Sequence, residues 1–294
     1  MLSYQITFPQ ISALAKQSEA KFENKLSEVV EDLLETSPEV LLISGPSGSG
    51  KTTTSKKIQD ALAKEGKDSF RLSLDDFFFD IKDRKNKTTD LESIELLDID
   101  LLSYVVHQLA SGEPTHIPSF DFESQKRLFD GKQKIINKGD LLIVEGIHAL
   151  MPELVDMFDD MKYATLYISV EGSAEFEDGL SVDGRDIRMM RRMVRDMQFR
   201  GAKPEYTLEI WKGVVASEKV NIEPYKENAH YVIDSFFEYE PYVIKKQLLK
   251  ALEMISDDGE YADVKEKYLP FAKKLSAASG DLIPKDSLLR EFIG

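Results

Sequence analysis

Residues Gly45, Pro46, Ser47, Gly48, Ser49, Gly50, Lys51 and Thr52 spell G-x-x-x-x-G-K-[ST], a spacing suited to a polyphosphate. Glycines let the backbone curl until successive N–H groups converge on phosphate oxygens. Lys51 then reaches the outer phosphates of a nucleoside triphosphate, and the Thr52 hydroxyl can ligate Mg²⁺. Phosphoryl transfer also needs a base and a metal-holding acid. Asp75 and Asp76 directly follow the strand expected over 69–74. A carboxylate at a strand's C-terminal end faces the ligand crevice of an open α/β sheet and can take the proton of an attacking hydroxyl. Solvated loop acids or a helix cap would have the same sequence appearance. Glu145 closes the apolar run 141–144, where an acid can hold Mg²⁺ beside such a loop; an ordinary strand-end acid is the alternative.

Six of the ten arginines fall within 185–200. Arg188, Arg191, Arg192 and Arg195 are spaced to share one helix face, where like charges repel unless an anion neutralises them. A triphosphate is the expected anion, with Arg188 and Arg191 on the donor and Arg192 and Arg195 on the transferring group, since arginine suits charge developing on a phosphoryl group. A solvated face paired with nearby acids is the competing reading.

These residues need elements to position them. Apolar spacing predicts an amphipathic helix over 16–35, a buried strand over 39–44, a helix over 52–64 and a strand over 69–74. A polar loop at 81–90 precedes a helix over 101–109. Residues 134–144 suggest two strands around a turn at Lys138 and Gly139. The tetrapeptide 137–140 matches the guanine-reading N-K-x-D pattern, yet no D-x-x-G lies between it and the phosphate loop, so it is taken as a turn. A strand at 163–170, helices at 187–199 and 204–220, a short strand at 231–233 and a helical tail complete the pattern. Strands alternating with helices give an α/β fold with a mostly parallel sheet. The expected division is an N-terminal helical extension at 1–38, a core at 39–235, and a helical segment at 236–294 packed on it.

Composition narrows the partners. Across 294 residues the net charge is −15, which argues against nucleic-acid and anionic-membrane partners. The absence of cysteine removes disulfides, thiol nucleophiles and thiolate zinc sites. No basic start leads into a long apolar run, so the expected location is the cytoplasm. His107, His116 and His230 lack metal-ligand spacing.

Taken together, GPSGSGKT at 45–52, LSLDDFF at 72–78, PSFDF at 118–122 with Arg127, IVEGIH at 143–148 and RMMRRMVRDMQFRG at 188–201 resemble the uridine kinase and phosphoribulokinase family of P-loop kinases. The tail motifs at 239–243 and 287–294 resemble its bacterial uridine kinase-like, nucleoside kinase branch. The resemblance implies a P-loop NTPase-type fold using ATP and Mg²⁺ to phosphorylate a nucleoside 5′-hydroxyl, uridine or cytidine first, and points towards a homo-oligomer. It implies Asp75 as the catalytic base, Glu92 near the ribose hydroxyls, Phe78, Phe120 and Phe122 around the nucleobase, and Arg127 among the substrate-binding residues. Gln125 stands nearest the position where uridine kinases carry a pyrimidine-reading histidine. His148 belongs to the same pattern, with a structural hydrogen bond as its expected task. Two rivals remain open at this stage: a same-fold kinase for another alcohol, such as a phosphorylated sugar or pantothenate, and an ATP-binding regulator that transfers nothing.

Overall fold

In the computed structural model, which describes all residues except 84–91, 122–123 and 138, the fold is organised by five short strands. They are β1 (Val40–Ser44), β2 (Ser69–Ser73), β5 (Leu141–Glu145), β6 (Tyr163–Ser169) and β9 (Tyr231–Asp234), ordered β2-β5-β1-β6-β9 with every pairing parallel. All five residues of β1 and of β5 are buried, the mark of strands covered on both faces. Their side chains alternate accordingly. Leu41, Ile43, Leu141 and Ile143 enter one apolar layer, and Val40, Leu42, Leu142 and Val144 enter the other.

The first layer holds α1 (Phe8–Thr36), α2 (Lys51–Lys64), α5 (Gly184–Phe199), α6 (Pro204–Asn221), α7 (Glu240–Met254), α8 (Ala262–Lys274) and the short α9 (Arg290–Ile293). The second is built on α3 (Ile99–Ala110) and the single turn α4 (Pro152–Val155). A hairpin of β3 (Thr115–Asp121) and β4 (Lys126–Lys134) stands apart from the main sheet, as does a small ribbon of β7 (Ala174–Glu175) and β8 (Ser181–Val182). Phe22, Leu26 and Leu33 of α1 share their cluster with Leu288 and Phe292 of the C-terminal segment, so both chain ends are packed into the core of the sheet-bearing unit.

Helix α1 begins earlier than its apolar spacing predicts. The Gln10 side-chain oxygen accepts from the Thr7 N–H and caps the start, and Ile11 and Ala15 extend the buried stripe. The expectation of two paired strands within 134–144 is corrected. Residue 134 ends β4 while β5 begins at 141, and they lie in different sheets. The apolar run 141–144 of β5 requires cover on both faces, which the central sheet provides. The turn itself is present: Asp140 N donates to the Asn137 carbonyl at 3.0 Å, and Asn137 N to Asp140 Oδ2 at 2.9 Å. Lys138 and most of the expected 81–90 loop lie outside the described residues.

Candidate active site

The loop between β1 and α2 carries positive φ at Gly45, Gly48 and Gly50. At Gly45 a Cβ would lie 1.9 Å from the Ile168 carbonyl oxygen, so no other residue fits where the loop leaves the sheet. The curl brings Lys51 Nζ to the carbonyls of Gly45 (2.8 Å) and Pro46 (3.3 Å), across the loop's concave side. Ser49 is buried in the same loop, and its hydroxyl has no hydrogen-bond partner among the described residues.

Strand register assembles the acids. Ser73 of β2 lies opposite Glu145 of β5, so the turn that follows β2 (Leu74–Phe77) carries Asp75 past the end of the strand bearing Glu145. Thr52 Oγ1 donates to Glu145 Oε1 at 3.1 Å. Burial pushes the Glu145 carboxyl up to about 7, the Asp75 charge adds to the rise, and Lys51, Ser73 and Thr52 oppose it. A carboxylate and a hydroxyl, both hard oxygen donors beside a phosphate loop, fit a magnesium ion shared with phosphate.

Asp76 turns the other way and accepts from Phe120 N at 3.0 Å. Burial raises its pKa, and that N–H bond opposes the rise. Asp80 accepts from Arg127 N at 2.6 Å. Phe120 and Arg127 face each other on one rung of the β3–β4 hairpin, so two carboxylates grip both of its strands at that rung. Phe120 then meets Phe78 edge-on at 5.6 Å between ring centroids. Gln125, at φ 53° in the hairpin turn, faces the same cavity. Arg127 does not line it. Its guanidinium bonds Asp98 Oδ2 at 2.8 Å, at the N-cap of α3. Phe122 lies outside the described residues.

Glu92 is buried, with its main-chain carbonyl accepting from His148 Nε2 at 2.7 Å, and burial raises its carboxyl to about 7 against the pull of Arg192. Arg192 Nη1 spans Glu92 Oε1 (3.2 Å) and Ser47 Oγ (2.8 Å), tying α5 to the phosphate loop. A cavity of about 950 Å³ gathers Ser47, Gly48, Gly50, Lys51, Thr52, Asp75, Phe78, Glu92, Phe120, Gln125, Glu145, Arg192 and Arg195.

The expected use of the arginine helix needs correction. Arg188 and Arg191 do not line the cavity. Arg188 makes a two-pronged pair with Glu218 (2.6 and 2.8 Å), and Arg191, with no exposed surface, makes one with Glu240 (2.6 and 2.7 Å). Each also donates to a loop carbonyl, Arg188 to Ser47 and Arg191 to Gly48. The anions that neutralise these two charges are the protein's own carboxylates, because a buried guanidinium needs a fixed partner.

Several cavity residues escaped the sequence reading. Asp196 is buried among Arg195 (3.0 Å), Arg200 (3.4 Å) and Arg192 (3.5 Å), and its i,i+4 spacing to Arg192 and Arg200 was the available signal. Phe199, Arg200, Tyr206 and Ile210 extend the wall, and Glu291 reaches it from α9. Glu291 lies in the tail motif at 287–294, but only tertiary packing brings that tail to the loop. Among the described residues no helix is long and apolar enough to cross a membrane.

A model of the phosphoribulokinase/uridine kinase family matches residues 40–239. Uridine-cytidine kinase C of Dictyostelium discoideum is 30% identical over 186 residues, covering 63% of this chain but only 36% of that protein. A uridine kinase of Staphylococcus epidermidis is 30% identical over 202 residues, 66% of this chain and 86% of the relative. The solved structure of a possible uridine kinase from Bacillus stearothermophilus aligns with a TM-score of 0.49 at 18% identity, over 72% of this chain and 98% of that one.

Proposed function

The chain belongs to the phosphoribulokinase/uridine kinase family, and on that premise we propose that it phosphorylates the 5′-hydroxyl of a nucleoside, uridine or cytidine first, using ATP and Mg²⁺. The observation that carries this reading is the meeting of Asp75, Lys51 and Glu145 in one cavity that also holds the Phe78–Phe120 pair. Lys51 and the loop N–H groups hold the donor's phosphates. Asp75 takes the proton of the attacking hydroxyl. Arg192 and Arg195 face charge that builds on the transferring group, where fixed donors lower the barrier without reorganising. Thr52 and Glu145 would hold the metal, which supplies charge neutralisation between phosphates. The edge-on aromatic pair offers apolar ring faces against which a nucleobase can pack, and Gln125 can both donate and accept at its edge. Walls from α5 and α6 exclude water, which would otherwise compete as acceptor.

The test is ATP consumption with Mg²⁺ over a panel of nucleosides, sugars and pantothenate, with Asp75→Asn alongside. Stimulation by uridine or cytidine, falling roughly 10²- to 10⁴-fold in the variant, is the expected result. Turnover with only a non-nucleoside alcohol would replace the acceptor, and ATP binding without any turnover would replace the reading with a regulator.

A further inference from the structure

The family match ends at residue 239, yet the last eight residues of the chain reach the catalytic cavity. Three contacts fix them there. Leu288 lies against Gly50, where a Cβ would come within 2.3 Å of its side chain. Phe292 is fully buried beneath the guanidinium of Arg191, 5.0 Å from ring centroid to Cζ. Ser287 Oγ donates to the buried Glu19 of α1 at 2.6 Å. The segment is therefore a packed part of the molecule, and what it delivers is one carboxylate. Thr53 Oγ1 donates to Glu291 Oε2 at 2.7 Å, and Glu291 lines the cavity.

The position of that carboxylate is informative. Thr53 stands in the first turn of α2, whose dipole and unpaired N–H groups attract an anion. Thr52, one residue earlier, is bonded to Glu145 on the side of the acceptor. Lys51 and Thr52 serve the outer phosphates and the metal, so Thr53 falls towards the donor's phosphate nearest the sugar. We propose that Glu291 is a donor-affinity residue: its carboxylate substitutes for an anion on the first turn of α2 and competes with the donor's innermost phosphate for Thr53. The C-terminal segment thereby sets donor affinity in a chain whose acceptor end is formed by the β2 turn and the β3–β4 hairpin. This inference rests on the kinase reading for its location of the donor.

Charge sign gives the test its direction. Glu291→Gln keeps the shape and an acceptor for Thr53 but removes one negative charge beside a polyphosphate. The donor KM should fall roughly three- to tenfold, the scale of one partly screened charge at close range. The acceptor KM should stay within about twofold, because the change is local to the donor end. In a Thr53→Ala background the same substitution should give a clearly smaller gain. Binding of a non-hydrolysable ATP analogue with Mg²⁺, followed by calorimetry, should tighten in parallel. A donor KM or analogue affinity that is unchanged or weaker in Glu291→Gln overturns the proposal, as does an equal shift in acceptor KM. Failure of the wild type to phosphorylate any acceptor would remove the proposed function, while the analogue measurement still decides the role of Glu291.

Discussion

Helix α5 presents arginines in two directions, and they have different employment. Arg188 and Arg191 point inward, each held on two oxygens of a buried glutamate and on a carbonyl of the phosphate loop. Arg192 and Arg195, with Arg200, face the cavity around the single carboxylate Asp196. The inward pair has one dedicated anion per cation; the outer set has three cations to one shared aspartate, with Glu92 also engaging Arg192. Counter-ions are thus dedicated one to one behind the helix and shared where it meets the cavity. Residue type and spacing are the same on both sides, and counter-ion supply separates the arginines that brace the loop from those that face the cavity.

The comparison can be broken most forcefully at Arg191. Arg191→Ala leaves Glu240 buried without its partner and should cost about 3–5 kcal/mol in urea unfolding, whereas the paired change Arg191→Met with Glu240→Leu should recover most of the loss. If Arg191→Ala were as stable as wild type, the inward pair would not be structural. A second effect, on the order of 2 kcal/mol, comes from the cavity-facing carboxyls. Glu92 and Glu145 hold their protons to about 7, because burial disfavours their charge. Between the ordinary carboxylate range and that value the folded state binds more protons than the unfolded chain, so stability should fall as pH rises through this window. The urea midpoint of ligand-free protein should be lower at pH 7.5 than at pH 5, and Glu145→Gln should flatten the slope. Smallest is Arg195→Ala, which should leave stability within about 1 kcal/mol. Its donor kcat/KM should drop roughly tenfold, equivalent to about 1.4 kcal/mol of transition-state binding. A large loss of stability without that drop would place Arg195 with the inward pair.

What could be read from the sequence was local. The apolar run before Gly45 and the helix after Lys51 are contiguous with the motif they support, so β1, the loop and α2 follow from neighbouring residues. Asp75 and Glu145 were each recognisable as strand-end acids, although their adjacency depends on the parallel β2–β5 register, which no local pattern encodes. The fate of Arg188 and Arg191 was hidden because Glu218 and Glu240 lie 30 and 49 residues further on. Strand β4 was missed because nearly all of it is exposed and polar, leaving no alternation to detect.

The grip of Asp76 and Asp80 on the β3–β4 hairpin has a consequence for how acceptor choice can change. Both aspartates hold main-chain N–H groups, of Phe120 and Arg127, so this part of the anchoring does not depend on which side chains the hairpin carries, and the Arg127–Asp98 pair adds to it away from the cavity. Positions 120 and 125 can therefore be rewritten while the hairpin stays docked. Under the proposed function the cavity face of the hairpin is an exchangeable insert beside the phosphate loop, a natural place to graft a new substrate preference.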